Sequence, residues 1–345
     1  MPVTINGTTG VDQSSVTGST ILPRGTTAQR PTNPVDGMMR YNTDEAYIEY
    51  YDSDFEEWYS VSEGRPGITA TGGTTTDITD GGVNYRVHTF TSSGTFEVTS
   101  GEGEVEYLVV AGGGGSRYDN GAGGGAGGYR SSVSGEMSGG GETAESNYFV
   151  NPQAYAVLVG GGGAAGPSGE GIGNSGQDSS FADIVSLGGG GAGSQTSDGA
   201  EGGSGGGAGH PNGVSYSGGE GTPGQGFKGG DALYKSPSFP AGGGGGASEA
   251  GETGTSSTDD GGKGGDGIQS NITGSLVYRA GGGGGSSNDL AGGAGGLGGG
   301  GAGASDGSGS GAPGQPNTGG GAGGPGHLTL GENGGSGIVI IRYAI

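Results

Sequence analysis

The chain has 345 residues, of which 98 are glycine and 28% are hydrophobic, and 35 acidic against 12 basic side chains leave a formal charge of −23. No basic cluster is available to neutralise phosphates, which argues against nucleic acid and anionic membrane surfaces as partners. Without cysteine there are neither disulfides nor thiolate metal sites.

No segment approaches the ~20 apolar residues of a membrane-spanning helix, so membrane insertion is not expected. Met1–Gly10 lacks the basic and apolar runs of a signal peptide, so a route by lysis or on a particle is expected.

Residues 1–20 are polar and rich in Gly, Thr and Ser, and read as an extended N-terminal anchor. Residues 21–63 read as a small β module. Two prolines and Asp36-Gly37 give extended backbone and a turn. Met38–Asn42 and Ala46–Tyr51 then face each other as a hairpin, and Trp58–Val61 adds a third strand. So short a module with one Trp makes a poor core. Met38, Tyr41, Tyr50 and Trp58 are therefore expected to bury themselves against a copy of the chain, as a homotrimer, or against another partner. Residues 64–80 read as a linker.

From 81 onward the pattern is paired strands: Asn84–Phe90, a turn at Ser92–Gly94, then Thr95–Val98. Val105–Val110 ends as a continuous apolar run suited to a central strand. Tyr155–Val159, Phe181–Leu187, Leu276–Tyr278 and Ile338–Tyr343 are further β-type segments. None shows a helical period. The predicted fold class is all-β with almost no α-helix: the N-terminal hairpin module, then a β-sandwich-based glycine-rich domain over 81–345.

Residues 1–110 hold 14 glycines and residues 111–345 the other 84. The strict G-X-Y period of collagen is broken by runs such as Gly298–Gly301. Two readings of the tracts remain. They are flexible surface loops, or they are polyglycine-II-type extended helices that bundle through backbone hydrogen bonds. Those beginning at Ala111, Gly160, Gly188 and Gly281 start at or just after a strand, so their origins are held. An extended helix of three residues per turn has no internal bonds to satisfy its N–H and C=O groups. Ala291, Ala294 and Leu297, separated by Gly pairs, step in that period of three.

Glu106–Ala111 running into Gly112–Gly115, then Gly123–Arg130, Gln315–Gly321 and Gly334–Tyr343, resemble the glycine-rich domain of bacteriophage tail-fibre and adhesin proteins. Leu22-Pro23, Thr27–Pro31, Gly37–Thr43 and Trp58 resemble a small β module of phage fibre and virion proteins. The resemblance implies a stack of polyglycine helices whose loops touch a host receptor, and a virion location with residues 1–63 bound to other virion proteins. By that likeness the chain is a tail fibre or fibre-tip adhesin directed at a host surface glycan or protein. The alternatives are a non-adhesive fibre or head decoration protein and an extracellular matrix or ice-binding protein. Receptor-contact candidates are Tyr118, Asn120, Asn212, Tyr234 and Phe239, which can stack on sugars or offer hydrogen bonds.

Catalytic chemistry is not evident, and no enzyme, metal or cofactor is expected. His88, His210 and His327 lack metal-ligand spacing. Gly261–Gln269 fits a calcium nonapeptide, but as one copy of a repeat that shares each ion between tandem copies. The acidic run Asp52, Asp54, Glu56 and Glu57 reads as a solvated hairpin rim.

Overall fold

The computed structural model describes residues 22–62, 67–167, 172–209, 214–234, 240–254, 260–288, 291–305 and 309–345. The chain forms two compact units, Met1–Pro66 and Gly67–Ile345.

In the first unit, β1 (Arg24–Gly25), β2 (Met39–Asn42), β3 (Tyr47–Asp52) and β4 (Glu57–Ser60) form one sheet in that order. β1 runs parallel to β2, and the other pairs are antiparallel. Both hairpin turns use the same chemistry. Asn42 Oδ1 accepts the Asp44 amide and Asp52 Oδ1 accepts the Asp54 amide. Each turn then closes through a left-handed residue, Ala46 or Glu56.

The second unit is built on two sheets. One carries β6 (Thr74–Asp80), β7 (Val83–Phe90), β9 (Gly103–Val110), β10 (Tyr129–Ser131) and β17 (Ile338–Ala344), in the order β10-β9-β17-β7-β6. β11 (Tyr148–Val150) pairs with the start of β9. The other carries β5 (Thr69–Thr71), β8 (Gly94–Ser100), β12 (Ala154–Leu158), β13 (Ser179–Phe181) and β14 (Ile184–Ser186), in the order β14-β13-β12-β8-β5. β15 (Ile268–Ser270) and β16 (Val277–Arg279) form a separate hairpin.

The sheets pack as a sandwich, with Phe96, Tyr107, Tyr155, Phe181, Ile341 and Tyr343 among the residues of the buried core between them. The expected all-β class is therefore observed. β9 and β17 are buried on both faces. Tyr107 and Val109 point into the sandwich, whereas Leu108 and Val110 belong to a second cluster with Tyr129, Ile268, Ala126 and Ala280. That two-sided burial explains their unbroken apolar runs.

Three sequence expectations change. Residues 69–80, read as linker, supply β5 and β6 and belong to the second unit. β7 and β8 are not a hairpin: β7 pairs with β6 and β17, while β8 pairs with β5 and β12, so the chain crosses between sheets after Phe90. Residues 181–187 do not form one strand. They fold back at Ala182, whose φ is 50°, between β13 and β14.

The glycine tracts are ordered as a bundle. Segment 111–117 shows the rule. Ala111 and Gly114 donate to Gly128 and Gly125, Gly112 and Gly115 to Gln177 and Asn174, and Gly113 and Ser116 to Gly335 and Glu332. Every third residue bonds the same neighbour, which is the signature of three residues per turn. The carbonyls of the segment accept from Gly189 and Ala192, from Gly163 and Gly166, and from Ala322, so it has six neighbouring segments. Segments 121–128, 203–209, 240–247, 280–287 and 319–326 are likewise bonded on six sides, giving hexagonal packing complete within one chain.

Segment 187–194 has five such neighbours, and side chains fill its sixth side. There Asp178 Oδ1 accepts the Gly188 amide at 2.8 Å, and Ser175 Oγ accepts the Gly191 amide at 3.3 Å. Glycine is required because the neighbours leave no room for Cβ: one added at Gly124 would lie 2.1 Å from the Gly114 carbonyl oxygen.

Candidate functional site

Ala111 follows β9 and Gly128 precedes β10, so these ends of the bundle are rooted on the sandwich. The opposite ends of the same segments, Arg117 and Gly121, lie at a far pole. The Gly121 amide meets the Pro325 carbonyl there, and the Asn120 amide meets that of Gly326.

Asp119 organises this pole. Its Oδ1 accepts the Leu328 amide at 2.9 Å and lies 2.9 Å from His327 Nδ1, and its Oδ2 accepts from Gln195 Nε2 at 3.2 Å. A carboxylate only accepts, so His327 carries its proton on Nδ1 and turns Nε2 outward. Asp119, Asn120 and Leu328 all adopt left-handed backbone, with φ of 64°, 49° and 54°. Such conformations in non-glycine residues are held by their surroundings, here by the Asp119 bonds between three separate crossings. Leu328 and Leu330 are each 63% exposed, and Val214, Leu233 and Ile172 also stand out at this end.

Of the receptor-contact candidates, Tyr234 is 52% exposed at this pole and Tyr118 is half-buried. Asn120 is 4% exposed and lies against His327, so it is turned into the tip instead of facing outward. Asn212 and Phe239 lie outside the described residues. Sequence reasoning missed the Asp119–His327 clasp, which joins residues 208 positions apart. Leu328-Thr329-Leu330, an apolar patch between glycine tracts, was the available signal.

The first unit separates its attachment candidates by face. Fully buried Glu49 receives Arg30 Nη2 at 2.7 Å and Asn42 Nδ2 at 3.0 Å, with Arg40 Nη1 3.4 Å away. Burial pushes the Glu49 carboxyl up, but these hydrogen bonds and the two guanidinium charges outweigh it and hold it below its ordinary value. Trp58 packs at a tilt against Tyr51 on this polar face, within cation–π distance of Arg30 and Arg40. Tyr41 and Tyr50 occupy the opposite face with Met39 and Ile48, which are 41% and 38% exposed. Met38, half-buried, immediately precedes β2.

The motif at Gly261–Gln269 is used structurally. Asp266 Oδ2 pairs with Lys263 at 3.1 Å and its Oδ1 accepts the Leu297 amide at 2.9 Å. Among the described residues, no group of three or more His, Cys, Asp or Glu is placed to hold a metal ion.

Comparison with known families matches residues 89–344 to the glycine-rich domain. No curated protein matches the sequence.

Proposed function

The chain belongs to the glycine-rich domain family, and we propose that it is a bacteriophage virion protein, a tail fibre or fibre-tip adhesin that presents its far pole to a host surface receptor. The observation that carries this reading is the pole itself. The hydrogen-bonded bundle holds Leu328, Leu330 and Tyr234 outward together at one end, in a chain with 98 glycines and 35 acidic residues. Apolar side chains displayed on a rigid support suit an interaction surface. The first unit is the attachment and trimerisation module in this reading, because Met39, Tyr41, Ile48 and Tyr50 form an apolar face opposite its buried ionic network.

Immunogold labelling of authentic particles, with antibody against residues 111–345, tests the location. Label at the outer end of a tail or fibre is expected. Replacing Leu328, Leu330 and Tyr234 together with serine is expected to reduce adsorption to host cells at least tenfold, with the melting temperature unchanged. Absence of label from the particles overturns the virion reading.

A second reading, a non-adhesive decoration protein, draws on the inward-facing Asn120 and the scarcity of exposed aromatics at the described pole. Label confined to the head, with adsorption untouched by the triple substitution, selects it.

A further inference from the structure

The side wall of the glycine bundle is divided by charge. Its outer segments form a ring, each hydrogen-bonded to the next: 199–203, 217–221, 226–232, 249–254, 261–267, 291–297, 299–305, 309–315, 331–337, 160–166 and 172–177. The arc from 199 to 267 is charged, with at least one acidic residue on every segment. Glu201, Glu220, Glu249 and Glu252 are exposed on it, and Lys228 and Lys263 each pair with an aspartate three residues on. The arc made by the other segments is not. Among its described residues Glu332 is the one charged side chain, and it sits beside Ser116 at the far-pole end. Asp178, which follows the last segment, is taken up by the Gly188 amide.

The outward positions of this second arc are held by Ala164, Ala294, Leu297, Ala302, Ala312 and Gln315, all exposed, with Leu297 at 53%. Among the described residues no acceptor takes the Ala294 or Ala302 amide, so the face offers backbone donors between short side chains. A foreign partner of a chain with charge −23 gains most where the acids are, by bringing basic groups to them. A second copy carries the same charge and is repelled there. It can approach closely only where charge has been removed, and the cores of protein interfaces are depleted of charged side chains.

We propose that the uncharged arc is a contact face between copies of this chain. The bundles associate side by side around a common axis, with uncharged arcs inward and charged arcs toward solvent. The inference rests on the reading of the first unit as the association module. A face of methyl groups and amides adheres weakly, and it gains from copies that are already held together.

The chain has no cysteine, so single substitutions report on contact. Ala302→Cys and Ala312→Cys probe the uncharged arc, and Glu220→Cys and Glu252→Cys the charged one. Each full chain is treated with a flexible bismaleimide at micromolar concentration, and cross-linked copies are measured after denaturation. The yield from the uncharged arc is expected to exceed that from the charged arc severalfold. Adding Ala294→Glu and Ala302→Glu to Ala312→Cys should bring its yield down to that of the charged arc at an unchanged melting temperature. Adding Glu201→Ala instead should leave it unaltered. Sedimentation separates the two readings. A trimer whose uncharged arc cross-links no better than its charged arc overturns this proposal alone, whereas a monomer overturns the first-unit reading with it. Glutamate substitutions that leave cross-linking intact but block incorporation into particles assign the arc to another virion protein, and they too overturn the proposal.

Discussion

At the scale of single residues, the bundle replaces side-chain packing with backbone contact. Burial of apolar side chains ordinarily dominates folding, yet the apolar cluster found inside the bundle consists of Ala122, Ala192 and Ala241. Stabilisation there comes from hydrogen bonds worth about 0.5–1.5 kcal/mol each, net of water, against the large entropy that glycine loses on ordering. Position therefore matters more than composition. Gly124→Ala puts a methyl group 2.1 Å from a carbonyl oxygen that belongs to another fully surrounded segment. It is expected to destabilise the second unit by about 3 kcal/mol or more, at the upper end of overpacking costs. Gly67→Ala, where nothing lies within 4 Å of the added carbon, is expected to leave stability nearly unchanged. Thermal melts of the two variants make the comparison.

At the scale of elements, His88 on β7 ties the two sheets to the chain between them. It is fully buried, donates Nδ1–H to the Gly72 carbonyl at 2.7 Å, and accepts at Nε2 from the Tyr343 hydroxyl at 3.3 Å. Burial holds its pKa below the ordinary 6.5, with the Gly72 bond and Asp77 opposing and Arg86 assisting. Below that pH the unfolded chain takes up a proton that the folded chain resists, so stability is lost on acidification. The melting temperature of the second unit is expected to be flat above about pH 6.5 and to fall below it, and His88→Gln should flatten the curve. Glu49 in the first unit has the lowered pKa of a paired carboxylate. Its stabilisation is present above the ordinary 4.5 and is lost only as pH falls further. The two units should therefore respond to acid in different windows.

The elements also show how far the sequence could be read. β9 and β17 were legible because burial on both faces leaves continuous apolar runs, and β2, β3 and β4 because Asx-initiated turns punctuate them. The crossing between β7 and β8 was not legible, since a Ser-Ser-Gly turn serves a hairpin and a sheet-to-sheet passage equally well. Residues 69–80 escaped as well. Thr-rich edge strands, exposed along most of their length, carry little of the alternation that marks a half-buried strand. At the far pole Tyr234 was legible as an exposed aromatic. The burial of Asn120 was not, because it depends on residues 326–330, two hundred positions away.

At the scale of the whole molecule, charge and apolar surface are apportioned between the units. Acidic side chains on peripheral segments, such as Asp198 and Asp231, accept the amides of Ser217 and Gly218 that no neighbouring carbonyl takes. The same residues leave the periphery negative, which guards against lateral aggregation as charged edge strands do in sheets. The first unit lacks that protection over Met39, Tyr41, Ile48 and Tyr50. Self-association is accordingly expected to depend on this face: the chain should sediment as a trimer, and Met39→Glu with Ile48→Glu should convert it to monomer while the second unit melts normally. A monomeric native chain at micromolar concentration contradicts the assignment.

The hydrogen bonds that run sideways from each glycine segment also govern how the molecule carries force. A pull on the far pole acts along the segments and so across those bonds, which are loaded together in shear. A buried segment such as 111–117 can slide only if ladders to neighbours on six sides give way at once. Load arriving at Leu328 is passed through many parallel lines to β9, β10 and β17 at the root. Forced unfolding is governed by the unfolding rate and not by equilibrium stability. A chain with so few large side chains along its shaft can thus hold under tension far beyond what its modest apolar content suggests.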